Sequence, residues 1–138
     1  MPAGYSGTPL PKKLGLKETG TLLLINAPAG VESQLVPLPP GARILSGNRL
    51  EGPFDVILLF VGNRAALEKQ FVPAAAKLTQ SGGLWIGWPK KASGVTTDLT
   101  ENPILDFGLG TGLVDNKVCA VNDTWSGLRF VIRVKDRK

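Results

Sequence analysis

The chain has no histidine and a single cysteine in 138 residues. Without histidine, no side chain has an ordinary pKa near neutrality, so the usual general base and the commonest metal ligand are both missing. Ser-His-Asp and Cys-His catalysis are therefore excluded. A zinc site would have only Cys119 and carboxylates to draw on. No catalytic residue, metal or cofactor is assigned from the sequence, and a protein without catalysis of its own is the expectation. Cys119 cannot close an internal disulfide, which fits a reducing compartment, and it reads as a small hydrophobe in a strand. Long apolar runs are missing too. The longest, Val56 to Val61, has six residues, far below the roughly 20 of a membrane span. The opening Met1-Pro2-Ala3-Gly4-Tyr5-Ser6-Gly7 lacks the apolar stretch of a secretory leader. A cytoplasmic protein of bacterial type with no membrane partner is expected.

The residues that are present describe a folded domain. Hydrophobic residues make up 43% and charged residues 20%, the balance of a globular chain and not of a disordered tail. Seventeen glycines and eleven prolines imply many tight turns. The net charge is +5, and most of it sits at the end: Arg129 to Lys138 hold five basic residues and one acidic. That clustering suggests a phosphate or nucleic-acid surface. Leu128, Phe130, Ile132 and Val134, however, alternate with Arg129, Val131, Arg133 and Lys135, the pattern of a half-buried strand with a charged outer face, and basic edge strands guard against edge-to-edge pairing.

Residues 1–20 show no sustained period and read as an arm on a single domain spanning 21–138. From Thr21 an apolar strand ends at the Ala27-Pro28-Ala29-Gly30 turn. A short helix is expected over Val31–Val36, stopped by Pro37, Pro39 and Pro40, with a weak strand over Ala42–Leu45. Asp55–Val61 is apolar on both parities, as a central parallel strand must be when helices cover both faces. Asn63 is a good N-cap for a helix striped by Leu67, Phe71, Ala74, Ala75 and Leu78. Pro73 should kink or divide that helix, and Ser81-Gly82-Gly83 should end it. Next come a strand over Leu84–Trp88, a short helix around Leu99–Phe107, an extended Leu113–Asn122, a turn at Asp123–Gly127 and the charged strand. The expectation is an α/β fold: a three-layer, Rossmann-like, mostly parallel sheet with a C-terminal antiparallel hairpin.

In such a sheet the loops leaving the carboxyl ends of the strands share one rim, where open α/β folds bind ligands. Four segments should meet there, offering Asn26, Asn63, Arg64, Lys90, Lys91, Ser93, Thr96, Asp98, Asp123, Thr124, Trp125 and Ser126. The paired lysines beside Ser93-Gly94 suit an anionic small molecule; a solvated loop whose Thr97 or Asp98 caps the next helix explains them equally. Trp125 either stacks on a partner or packs back on the core. Lys12-Lys13 would join Lys90-Lys91 in one basic patch if the arm crosses the rim. Nucleic acid is a further candidate partner for such a patch.

Ile104-Leu105-Asp106-Phe107-Gly108-Leu109-Gly110-Thr111-Gly112 resembles the S-adenosylmethionine loop of methyltransferases. The residues after it, Leu113 to Val121, read as a strand, so a glycine-rich helix exit is the alternative. From Phe71 onward, the Gly-Gly strand ending in Trp88-Pro89-Lys90, Thr97-Asp98-Leu99 and Asp123-Thr124-Trp125-Ser126-Gly127-Leu128 resemble a bacterial domain-of-unknown-function family. The layout is also similar to the later strands of class I methyltransferases, including their closing hairpin. That resemblance implies a reduced methyltransferase-like fold, and a divergent methyltransferase is the alternative function. After the first strand the chain has Asn26-Ala27-Pro28-Ala29-Gly30 where that family carries Gly-x-Gly-x-Gly, and Pro28 has no amide hydrogen to offer a cofactor.

Overall fold

A computed structural model describes residues 9–47 and 51–138; the first eight residues of the expected arm lie outside them. The order is a one-turn helix α1 (Leu10–Lys13), β1 (Thr21–Ile25), β2 (Arg43–Ser46), β3 (Phe54–Phe60), α2 (Arg64–Ala75), β4 (Leu78–Pro89), α3 (Glu101–Gly110), β5 (Leu113–Ala120) and β6 (Trp125–Ile132). The six strands form one sheet in the order β2-β1-β3-β4-β6-β5. β1 to β4 pair in parallel, and β6 runs antiparallel to both β4 and β5. The fold is thus α/β with a mostly parallel sheet and a closing antiparallel hairpin, as the alternation of elements predicts.

Side-chain parity divides the core into two faces. Leu23, Ile25, Ile57, Leu59, Leu84, Ile86, Leu128 and Phe130 point toward α2 and α3 and meet Leu67, Phe71 and Ile104. Leu22, Leu24, Val56, Leu58, Phe60 and Trp85 point the other way and are covered by Leu10, Leu14, Leu16, Val31 and Leu35. One face therefore carries two helices, while the other carries the amino-terminal segment and an irregular loop. Among the described residues, no helix is long and apolar enough to cross a membrane.

Several local expectations are corrected. The helix expected over Val31–Val36 is a single 3-10 turn, Glu32–Gln34, because prolines at 28, 37, 39 and 40 leave too few residues to propagate one. Pro73 does not divide α2: the helix runs unbroken to Ala75, so Pro73 occupies its last turn. Leu78, the last residue of the expected helical stripe, already belongs to β4. Ser81-Gly82-Gly83 does not end a helix but lies inside β4. A Cβ at Gly82 would stand 2.7 Å from the Asp55 carbonyl, so glycine there serves strand packing. The glycine-rich run from Ile104 is helical through Gly110, which removes the cofactor-loop reading of that segment. Trp125, Ser126 and Gly127 are strand residues, leaving the turn to Val121–Thr124. The basic strand is not an edge. β6 sits between β4 and β5, and Leu128, Phe130 and Val131 are buried.

Candidate functional site

The carboxyl rim is knitted by side chains that sequence reasoning offered to a ligand. Asn26 closes β1 in the left-handed region, φ 58°, a conformation its short amide tolerates. Its Nδ2 donates to the Phe60 carbonyl at 3.4 Å and to Gln70 Oε1 at 2.7 Å. Asn63 is the N-cap of α2, accepting from Ala66 N at 2.8 Å. Asp98 accepts from Arg64 N at 2.8 Å, so it caps α2 and not α3, whose N-cap is Thr100. The Arg64 guanidinium pairs with Glu68 at 3.0 Å on the exposed surface. Thr97 donates to the Gly62 carbonyl at 2.8 Å and accepts from Leu99 N at 3.1 Å. Apart from the Arg64–Glu68 and Asn26–Gln70 pairs, these bonds satisfy backbone atoms at strand and helix ends.

The second half of the rim is the junction of β4 with the hairpin turn. Lys90 N donates to the Thr124 carbonyl at 2.7 Å. Ser93 Oγ donates to the Lys90 carbonyl at 2.6 Å and accepts from Val95 N, closing the 3-10 turn Lys91–Ser93. Asn122, which sequence reasoning missed, accepts from both Thr124 N and Trp125 N at 2.9 Å. An Asn two residues before a turn's end is a recognisable signal for this Asx geometry. Trp125 packs back: its ring meets Phe60 edge-on at 5.1 Å. Ser126 is half-buried within β6, while Asp123, Lys91 and Thr96 are exposed.

Beside this junction lies a group of lysines. Cys119 is half-buried on β5; burial pushes its thiol pKa up, while Lys13, Lys117 and Lys90 pull it down. Three cations from α1, β5 and the loop after β4 thus act on one atom, and Lys12 and Lys91 adjoin two of them in sequence. Lys117 thereby joins Lys13 and Lys90, one from each of the lysine pairs the sequence offers, in acting on this thiol. Its facing is set by the irregular pairing between Asp115 and Lys117, for which the sequence gives no signal.

The residues present do not fit S-adenosylmethionine as the methyltransferase resemblance would place it. The loop after β1 carries Pro28, whose carbonyl already accepts from Val31 N at 3.3 Å, and the Asn26 amide is spent on Phe60 and Gln70. β2 itself ends in Ser46, where that family carries an acid, and the Ser46 hydroxyl donates to Glu32 Oε1 at 3.2 Å.

No protein-family model matches the chain, and no curated protein matches it. Solved structures share its fold. Precorrin-6y C5,15-methyltransferase of Geobacter metallireducens is 12% identical over 89% of this chain and 85% of that one, with a TM-score of 0.65. A TehB-like SAM-dependent methyltransferase of Corynebacterium glutamicum is 14% identical over 84% and 82%, TM-score 0.53. Aeropyrum pernix fibrillarin, solved with natively bound S-adenosyl-L-methionine, is 14% identical over 93% and 70%, TM-score 0.57. The fold is that of the methyltransferase-like Rossmann group.

Proposed function

We propose that the chain is a binding domain of methyltransferase architecture, without methyl transfer of its own, that takes a phosphate-bearing ligand on the lysine face beside its carboxyl rim. The observation that carries this reading is that Lys13, Lys90 and Lys117, from three separate segments, all act to lower the Cys119 thiol pKa against the rise that burial causes. Positive charges contributed by three segments near one side chain favour an anion there. Lys91 and Ser93 lie on the same short turn and extend the face toward the Trp125 strand. Asn26, Asn63 and Asp98 are engaged in the rim's own hydrogen bonds, which supports a binding role over a catalytic one.

The test is titration with short single-stranded RNA and DNA and with nucleotides, followed by tryptophan fluorescence, in wild type and in the K90Q/K91Q double variant. Binding should weaken steeply with salt and fall in the variant. Salt-independent binding, or none, overturns the reading.

A divergent methyltransferase is the second reading, and one observation favours it. Glu32 Oε1 lies 3.2 Å from Ser46 Oγ at the carboxyl end of β2, so an acid reaches the position that the family fills from the strand itself. Saturable S-adenosylmethionine binding lost in E32Q would move the assignment to this reading.

A further inference from the structure

At the other end of the strands, the amino ends of β1, β3 and β4 border a cavity of about 310 Å3. Its walls include the Gly15–Gly20 segment, Asp55, Thr79, Gly82 and Arg129. Arg129 pairs with Trp85 across the β4–β6 ladder, so both side chains stand on the α1 side of the sheet. The guanidinium lies flat over Gly83: a Cβ there would collide with Arg129 Nε, Cζ and Nη2. Nη2 reaches to 3.8 Å from where a Cβ on Gly15 would stand.

The polar groups of this cavity are under-used. Arg129 Nε and Thr79 Oγ1 are the buried side-chain N or O atoms left without a hydrogen-bond partner among the described residues. Among the described residues no ion pair reaches Arg129; Arg64–Glu68 and Arg133–Asp136 pair elsewhere. Asp55 shares the wall but bonds Thr21, from N at 2.9 Å and Oγ1 at 3.4 Å, through Oδ2. The buried Nε of this half-buried arginine and the buried Thr79 hydroxyl, both without partners, cost folding free energy. A planar fork of donors matches the two oxygens of a carboxylate or phosphate.

We propose that this cavity binds a small molecule through a single carboxylate or phosphate group, clamped by Arg129 and contacted by the Thr79 hydroxyl. Two features set the class. The volume equals roughly ten waters at about 30 Å3 each, room for a metabolite and not for a polymer. Glu18 and Asp55 line the cavity with Lys17 and Arg129, so the wall has no net charge. A polyanion is disfavoured there, while an amine or hydroxyl on the far end of the ligand meets a carboxylate.

The experiment titrates glycine, lactate, succinate and inorganic phosphate at constant ionic strength, reading the melting temperature and the emission of Trp85. At least one probe should bind saturably to wild type. Its affinity should fall by about tenfold or more in R129Q, the loss of a charged hydrogen bond, and by a smaller factor in T79V. The carboxylates and phosphate distinguish the two sources of the oxyanion. Unliganded R129Q should melt at or above the wild-type temperature, because it removes a charged group whose buried Nε has no partner. Absence of saturable binding by all four probes, equal binding by R129Q, or an R129Q that melts well below wild type or fails to fold would each overturn the proposal.

Discussion

The indole of Trp85 donates from Nε1 to the backbone carbonyl of Leu14 at 2.9 Å, a buried bond between residues 71 apart in sequence. It ties the segment after α1 to the middle of β4, and Leu10, Leu14 and Leu16 close over that face of the sheet. Trp85→Phe keeps the ring but orphans the carbonyl. It should cost about 1–3 kcal/mol for the unsatisfied group, measured by urea unfolding. Removing residues 1–16 should do far more damage. Three fully buried leucines contribute roughly 1.5–3 kcal/mol each, and Trp85 would turn to water, with its emission shifting red.

Helix α2 has two caps from different parts of the chain. Asn63 serves Ala66 N, and Asp98, thirty-four residues downstream of Arg64, serves Arg64 N. Each substitution by alanine should cost about 1 kcal/mol, with a combined loss that departs from the simple sum because both caps act on the first turn of one helix. Chemical denaturation of N63A, D98A and the double variant measures this. If D98A abolished ligand binding without changing stability, Asp98 would belong to a ligand and not to the helix.

Gly108 makes an opposite case to ordinary helix propensity. Alanine is favoured over glycine inside a helix by about 1 kcal/mol, yet a Cβ at position 108 would run into the Phe130 ring. That ring is held edge-on against Phe71 at 5.2 Å and has no open space to enter. Gly108→Ala should therefore destabilise by roughly 1–3 kcal/mol, the range of an overpacked core. A thermal melt of the variant decides the sign.

The layers and most of the topology can be read from short windows of sequence. Leu22 to Ile25 and Val56 to Phe60 are apolar on both parities, so each had to be buried on two faces; the Leu67, Phe71 and Ala74 spacing had to be helical. Windows miss decisions made by distant partners. Ser81-Gly82-Gly83 looks like a helix terminator until Asp55 and Arg129, approaching from β3 and β6, require glycine in a continuous strand. The basic last strand looks like an edge until β5 adds outside it. At the rim, strand order brings together the predicted loops, but their polar groups mostly cap backbone ends. The joint effect of Lys13, Lys90 and Lys117 on Cys119 draws on α1 and β5 as well, and the spacing of the three lysines does not announce it.

Cys119 gives a built-in probe of that lysine face. Burial raises the thiol pKa, and Lys13, Lys117 and Lys90 each lower it by stabilising the thiolate. Because the thiolate is the reactive form, alkylation at neutral pH should be slow in wild type and slower still in K13Q or K90Q. A bound anion neutralises the same lysines, so saturating phosphate-bearing ligand should slow wild-type alkylation as well. The pH dependence has the matching sign. A thiol whose folded pKa lies above its unfolded value contributes stability below the unfolded pKa and loses it as pH climbs through the folded one. Wild type should therefore weaken on the alkaline side of the thiol's ordinary range, and Cys119→Ala should flatten that slope. Faster alkylation in K90Q would mean that the lysine shields the sulfur instead of activating it, and the electrostatic reading of the face would fail.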